Sequence, residues 1–262
     1  MNASIHSTVH IDSHVEIEKG VSIGAYSHIT GNVTIGKNTV IASHVTIHGP
    51  VHIGEGNCIS SFVVIGSGAQ HLKDFKIDEP MKIGNNNIFS PHVTVNQGIQ
   101  GYPNTSIGSY NFFGDFVHIA HNCVIGNHVK LLHSAVLAGH VTMQNYAFMG
   151  SMSSGSQFTT VGEGAYLDNM TAFDRDIPPY VKCGGRHAPI QGIAEQHLYE
   201  NLKMNKKDIL VLKEIYNNII ASDKTIHETI SAIQEKNHVL SQQFLSFIKN
   251  SKKGIPLFFE KS

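Results

Sequence analysis

The chain has 262 residues, 15% of them charged, and a formal net charge of -1. That balance excludes a basic nucleic-acid footprint and a disordered acidic tail, so partners have to be read from sites. Three cysteines without C-x-x-C spacing, Cys58, Cys123 and Cys183, argue against a disulfide framework or a zinc knuckle and fit a reducing compartment.

The N-terminal stretch MNASIHSTVHIDSHVEIEKG lacks a basic segment followed by an apolar one, and no apolar run reaches the roughly 18 residues that a membrane span needs. A soluble, cytoplasmic protein is expected. From Ile5 to Ile65 every sixth residue is isoleucine. The register resumes at Ile83, Phe89 and Val95, runs again from Ile107 to Met149, and closes with Val161, Leu167 and Phe173. Ile77 also fits it, whereas His71, Gly101 and Gly155 break it. A period of six matches neither an α-helix nor a free strand, but it suits short strands joined by tight corners. Glycine directly after the hexad residue, at Gly24, Gly36, Gly54, Gly66, Gly84, Gly108, Gly126 and Gly162, marks those corners, where a missing Cβ permits a turn. A valine column two residues before the hexad residue, from Val9 to Val63, lines the same interior with side chains suited to stacked strands. Three hexads make one triangular coil, which predicts a parallel β-helix of roughly nine or ten coils stacked about 4.8 Å apart.

Residues 67–82 and 96–106 keep the frame but carry polar residues, glycine and proline, and read as loops projecting from the prism. After DRDIPPYV at 174–181 the composition changes. Residues 191–203 and 205–222 read as helices, the second with an apolar stripe of Ile209, Leu212, Tyr216, Ile219 and Ile220. Thr225 is expected to cap a helix carrying Ile226, Ile230 and Ile233, and 239–248 supplies a further amphipathic segment. The expected organisation is a β-helix over 1–190 and a small helical domain over 191–262.

Within FVHIAHNCVIGNHV at 116–129, the coil length places His121, Gly139 and Gln157 in one vertical file, with His140 above Asn122 and His118 on the strand leading to the corner. A base beneath a glycine N–H suits acyl transfer. The imidazole takes the proton of an attacking hydroxyl or amine, and the N–H steadies the oxyanion of the tetrahedral intermediate. Two alternatives stay open: a surface histidine in a chain that holds eighteen, and a metal site formed by His118, His121 and His140. The second lacks an acidic or thiolate ligand beside it in the lattice, so no metal is expected.

HIAHNCVIGN at 118–127, LAGHV at 137–141, DIPPYV at 176–181, RHA at 186–188, QHLK at 70–73 and FLSFIKNSKKGI at 244–255 carry a resemblance over nearly the whole chain. It is to the acyl carrier protein-dependent UDP-N-acetylglucosamine O-acyltransferases that begin lipid A synthesis. The resemblance implies an all-β left-handed parallel β-helix followed by a small α-helical domain, assembled as a homotrimer with active sites between neighbouring prisms. It implies His121 as general base and Gly139 as oxyanion donor. His118, Asn122, His140, Gln157, His71, Lys73 and Asn96 would meet substrate, and Asn169 would floor the acyl groove and shorten the accepted chain. The implied donor is a 3-hydroxyacyl group on acyl carrier protein, an acidic partner for Lys203, Lys206, Lys207, Lys252 and Lys253, with no cofactor beyond that thioester.

The chain also departs from the family pattern. Asn122 stands for an aspartate and orients the imidazole without a full charge. His71 stands for another aspartate, Asn96-Gln97-Gly98-Ile99 replaces H-R-G-T, and Ser156 replaces a histidine. Glu200 and Asn201 occupy a basic segment that holds the nucleotide, which turns attraction for a diphosphate into repulsion. The pattern suggests a divergent paralogue acting on UDP-N-acetylglucosamine or its 3-amino analogue. The alternatives are an acyltransferase for another nucleotide-linked amino sugar, with acetyl-CoA as donor, and a trimer that binds carrier protein or nucleotide sugar without turnover.

Overall fold

The structure, a computed structural model, describes residues 3–70, 79–219 and 238–256. The expectations made for His71, Lys73, Ile220, Thr225, Ile226, Ile230 and Ile233 lie outside the described residues. Strands of two to four residues wind into three sheets of eleven, nine and eight strands. Successive coils pair in parallel, Ile5 with Ile23, Ile23 with Ile41, Ile119 with Leu137 and Leu137 with Gly155. This is the hexapeptide-repeat left-handed β-helix with a small helical part after it. Its interior is the predicted columns: Ile29, Val33, Ile35, Val45 and Ile47 are all fully buried, each worth roughly 1.5–3 kcal/mol of transfer free energy. The first coil has no neighbour below it among the described residues, and Ile5 there is 42% exposed.

Two features of the repeat have a different cause from the one expected. The left-handed backbone lies three residues beyond the hexad position, with or without a glycine between, at Tyr26, Asn38, Asn86, Tyr110, Asn122, His140 and Phe158, with φ between 55 and 63°. The glycines answer to close packing of coils instead. A Cβ at Gly36 would fall 2.5 Å from the carbonyl carbon of Gly54, and one at Gly108 would fall 2.5 Å from the carbonyl oxygen of Gly126. Gly155 breaks the hexad rule because the Phe173 ring from the next coil occupies the space its side chain would need. Ile59 pairs with Phe89, and Phe89 with Phe113, so both insertions are multiples of six. The sequence frame survives them, although Gly101 has no place in the stack.

Gly66 is the exception among the corner glycines, since it combines φ of +86° with a Cβ direction that points into the His48 carbonyl oxygen. Gly66→Ala is expected to destabilise the fold by about 2–4 kcal/mol. A drop in melting temperature of less than 2 °C would show that the coil relaxes around the methyl group.

Ile190–Ile193 is an antiparallel strand against Val181–Cys183, which corrects the reading of 191–193 as the start of a helix. That edge offers hydrogen-bonding partners, and Gly192, at φ +149°, is a poor helix residue. The strand spans the 190/191 boundary, and the helices follow: α1, Glu195–Asn201; α2, Lys206–Ile219; and α3, Val239–Asn250. Asn205 caps α2 by accepting the Asp208 N–H at 2.9 Å. Ile209, Leu212 and Ile215 of α2 and Phe244 and Leu245 of α3 are buried. Asp176 fastens the end of α3 to the β-helix. Its buried carboxylate accepts hydrogen bonds from the Thr160 N–H on one oxygen and from the Ser251 hydroxyl and the Lys252 and Lys253 N–H groups on the other.

Candidate active site

The corner after the second sheet gathers His121, Asn122, Gly139, His140, Gln157 and Phe158. The Phe158 N–H donates to the Gly139 carbonyl at 3.2 Å, and the His140 N–H donates to the His121 carbonyl at 2.9 Å. A Cβ on Gly139 would fall 2.5 Å from His121 Nε2, so the imidazole lies flat against bare backbone. At the equivalent position of corners on the other two edges the N–H is capped by a side chain: Ser109 by Asn127, Asn127 by Asn145, and Ser151 by Asn169. No hydrogen bond from the described residues reaches the Gly139 N–H. A donor left open beside a base can receive an oxyanion.

His121 is buried and its Nδ1 lies 2.8 Å from Asn122 Oδ1. His140 stands edge-on to it, with ring centroids 5.1 Å apart, and stacks on Phe158 at 4.3 Å. Burial, and secondarily the neighbouring His121, hold His140 below the ordinary histidine range. Burial does the same for His118, whose Nδ1 lies 2.7 Å from Thr94 Oγ1. Both rings therefore stay neutral near pH 7 and act as hydrogen-bonding walls. The buried Cys123 thiol is pushed up to about 12 by burial, too high to supply a thiolate nucleophile. Among the described residues no three His, Cys, Asp or Glu side chains converge to hold a metal ion.

The remaining sequence-derived candidates are dispersed. Gln157 is exposed above Gly139. Asn96 is buried, with Nδ2 donating to the Gly68 carbonyl at 2.7 Å and Oδ1 without a partner among the described residues, so it holds the backbone at Gly68. Asn169 lies on another corner, where Oδ1 caps the Ser151 N–H at 2.9 Å. Within one chain it does not approach His121. The sequence reading missed Tyr102, whose ring stands edge-on to His140 at 4.6 Å, because it belongs to an insertion that leaves the hexad lattice.

One cleft adjoins this corner, and a second lies away from it against the first sheet. The first, of about 600 Å³, runs from His140 and Phe158 past Gln144 and Glu163 to Gln243 and Lys252 of the C-terminal segment. Burial raises the Glu163 carboxyl above its ordinary range, and Lys253 Nζ lies 5.9 Å over the Phe158 ring. The other, of about 540 Å³, lies between α1 and the first sheet, where Phe148 and Tyr166 stack at 4.4 Å beside His197. There Asn201 accepts from Lys130 Nζ at 2.9 Å, and Glu200 accepts from Gln196. The cations of this cleft are thus Lys130 and Lys182 from the β-helix, not residues of α1. No helix among the described residues is long and apolar enough to cross a membrane.

Residues 176–256 match the family model "Udp N-acetylglucosamine O-acyltransferase; Domain 2", and 14–49, 32–67 and 104–139 match "Bacterial transferase hexapeptide (six repeats)". The acyl-[acyl-carrier-protein]–UDP-N-acetylglucosamine O-acyltransferase of Nautilia profundicola is 34% identical over 153 residues, which is 58% of this chain and 59% of that protein. The match therefore spans less than two thirds of that relative. Solved structures align end to end. LpxA of Acinetobacter baumannii is 32% identical with a TM-score of 0.89, covering 96% of this chain and 99% of the other. The UDP-N-acetylglucosamine acyltransferase of Francisella novicida is 29% identical with a TM-score of 0.93, covering 98% and 95%.

Proposed function

The chain belongs to the UDP-N-acetylglucosamine O-acyltransferase (LpxA) family, and from that premise we propose that it moves a 3-hydroxyacyl group from acyl carrier protein to the 3-position of UDP-N-acetylglucosamine or its 3-amino analogue, early in lipid A synthesis in the cytoplasm. The observation that carries this reading is the His121 imidazole lying against the uncapped Gly139 N–H. His121 Nε2 takes the proton of the acceptor as its oxygen or nitrogen bonds to the thioester carbonyl carbon. The Gly139 N–H donates to the oxyanion. Collapse breaks the C–S bond, and the imidazolium returns its proton to the departing thiolate.

The amine is favoured as a second acceptor by one feature, Asn122. The imidazolium formed during the reaction has a neutral amide rather than a carboxylate at Nδ1, and an amine needs less help from a base than a hydroxyl does. The homotrimer is supported by an exposed stripe along one prism edge. Tyr26, His44, Phe62, His92 and Phe116 stack in sequence at 4.7–5.2 Å, and Met152 and Met170 continue it at 64 and 68% exposure. An apolar seam of that length marks an interaction surface, and Asn169 beside it would reach the acyl groove of a partner protomer. Lys252 and Lys253, at the mouth of the larger cleft, with Lys203, Lys206 and Lys207, give the acidic carrier protein a docking charge.

The test is product mass spectrometry with 3-hydroxyacyl carrier proteins of several chain lengths against UDP-N-acetylglucosamine and UDP-3-amino-GlcNAc. Product with either acceptor is expected. Acylation of neither, alongside an active family member as control, rules out the reading. In the same assay Gly139→Ala is expected to lower kcat by about 10²–10³, because its methyl group displaces the imidazole and covers the donor. Unchanged kcat would move the oxyanion site elsewhere.

A further inference from the structure

The amide of Asn122 is held by groups that define which end is which. The Ile99 N–H, which can only donate, points at Oδ1 at 3.1 Å, and the Pro103 carbonyl, which can only accept, meets Nδ2 at 2.8 Å. The Ile99 carbonyl adds a longer contact to Nδ2 at 3.4 Å, and the Asn122 N–H donates to Thr105 Oγ1 at 2.8 Å. Turning the amide over would set donor against donor and acceptor against acceptor. With Oδ1 fixed as an acceptor, its 2.8 Å contact to His121 Nδ1 requires the proton on Nδ1. Nε2 is then left with its lone pair free.

The partners are themselves built in. Gln97 is buried and its amide Nε2 donates to the His48 and Pro50 carbonyls, while its Oε1 accepts from Asn104 Nδ2. Asn104 Oδ1 in turn accepts the Gly98 and Thr105 N–H groups. The two ends of the 98–104 loop are thus pinned independently of Asn122, and the stretch between them, from Ile99 to Pro103, is tied to the corner through the Asn122 amide. Gly98 lies so near that a Cβ there would fall 2.7 Å from Asn122 Nδ2. A carboxylate at position 122 would turn one oxygen toward two backbone carbonyl oxygens, at contacts where the amide now donates. This surrounding is made for an amide, which a merely degraded acid would not require.

We infer that Asn122 is a positioning residue whose carboxamide fastens the 98–104 loop to His121, fixing the imidazole as the Nδ1–H tautomer and holding Tyr102 against His140 as a wall of the acceptor cleft. The inference rests on the acyl-transfer reading for its catalytic meaning, but not for the loop-to-histidine coupling itself. Tyr102 is 54% exposed, so its edge contact with His140 depends on where the loop is held. Position 122 thereby sets both the state of the base and the shape of the acceptor side.

The experiment compares the full-length protein with Asn122→Ala and Asn122→Asp. Histidine-selective ¹⁵N NMR reads the His121 tautomer, hydrogen exchange by mass spectrometry reads peptides spanning 98–104, and the product assay reads kcat. Asn122→Ala is expected to give a mixed tautomer and loop exchange faster by about tenfold or more, with kcat lowered by about tenfold or more. Asn122→Asp is expected to free the loop to a similar degree and to leave kcat at or below wild type. Asn122→Ala with the wild-type tautomer and wild-type exchange overturns the proposal. So does Asn122→Asp with a protected loop and kcat above wild type, which would identify residue 122 as a lost acid. If the wild-type protein acylates neither acceptor, the activity reading fails, while the tautomer and exchange measurements still decide the coupling.

Discussion

His121→Ala is expected to lower kcat by about 10²–10⁴, the usual contribution of a positioned general base, while leaving the protein folded. The ring is buried at a corner of the prism, and its side-chain hydrogen bond runs to Asn122, so its removal costs about 0.5–1.5 kcal/mol through that bond. The β-helix core of Ile119, Leu137 and their neighbours is untouched. The loss should therefore appear in the chemical step, seen in single-turnover rates with saturating acyl carrier protein thioester. Binding of the nucleotide sugar, followed by calorimetry, should change little, because in the proposed reaction the acceptor would also meet the neutral His140 and the loop wall. A residual rate above the uncatalysed reaction is expected from the Gly139 N–H alone. If kcat for His121→Ala stays within threefold of wild type, another group takes the proton. His118 is then the next candidate, since its half-buried ring is held neutral on the adjoining strand.

Why the fold was readable and part of the site was not follows from the lattice. In a coil of fixed length, sequence spacing converts directly into height and edge, so Ile119, Leu137 and Gly155 fall into one file and bring His121 under Gly139. The same rule explains what stayed hidden. The insertion at 97–104 leaves the lattice, and spacing no longer says what it touches. Ile99, Pro103 and Thr105 therefore could not be foreseen as the partners of Asn122, and Tyr102 could not be placed beside His140. Asn96 looked available for substrate because its polarity was visible and its burial was not. Gln191 to Ile193 read as helix because periodicity does not register a strand edge waiting at Val181–Cys183. Asp176, quoted within DIPPYV only as part of a motif, gains its role from a segment 75 residues further on.

That contact carries the largest expected effect on stability. Asp176→Ala is expected to destabilise the protein by about 3–5 kcal/mol, since bonds to a charged acceptor are worth about 1.5–3 kcal/mol each and the donors left behind are partly buried. For a chain of this size that corresponds to a fall in melting temperature of roughly 6–20 °C. Both carboxylate oxygens are used, one by the Thr160 N–H at 2.7 Å and the other by the Ser251 hydroxyl at 2.6 Å with the Lys252 and Lys253 N–H groups at 3.1 and 3.2 Å. Asp176→Asn should fall between wild type and alanine, because an amide can serve donors at only one end and presents N–H to the other. The effect should also reach function. Asn250, Ser251 and Lys252 line the cleft that begins at His140, and Lys253 lies over Phe158. Releasing them should raise KM for the carrier-bound donor more than it lowers kcat. Thermal melts and trypsin cleavage after Lys252 and Lys253 provide the measurement, with faster cleavage expected in the alanine variant. If that variant melts within 2 °C of wild type and resists trypsin equally, the end of α3 is held by its apolar contacts and the carboxylate is not the clamp.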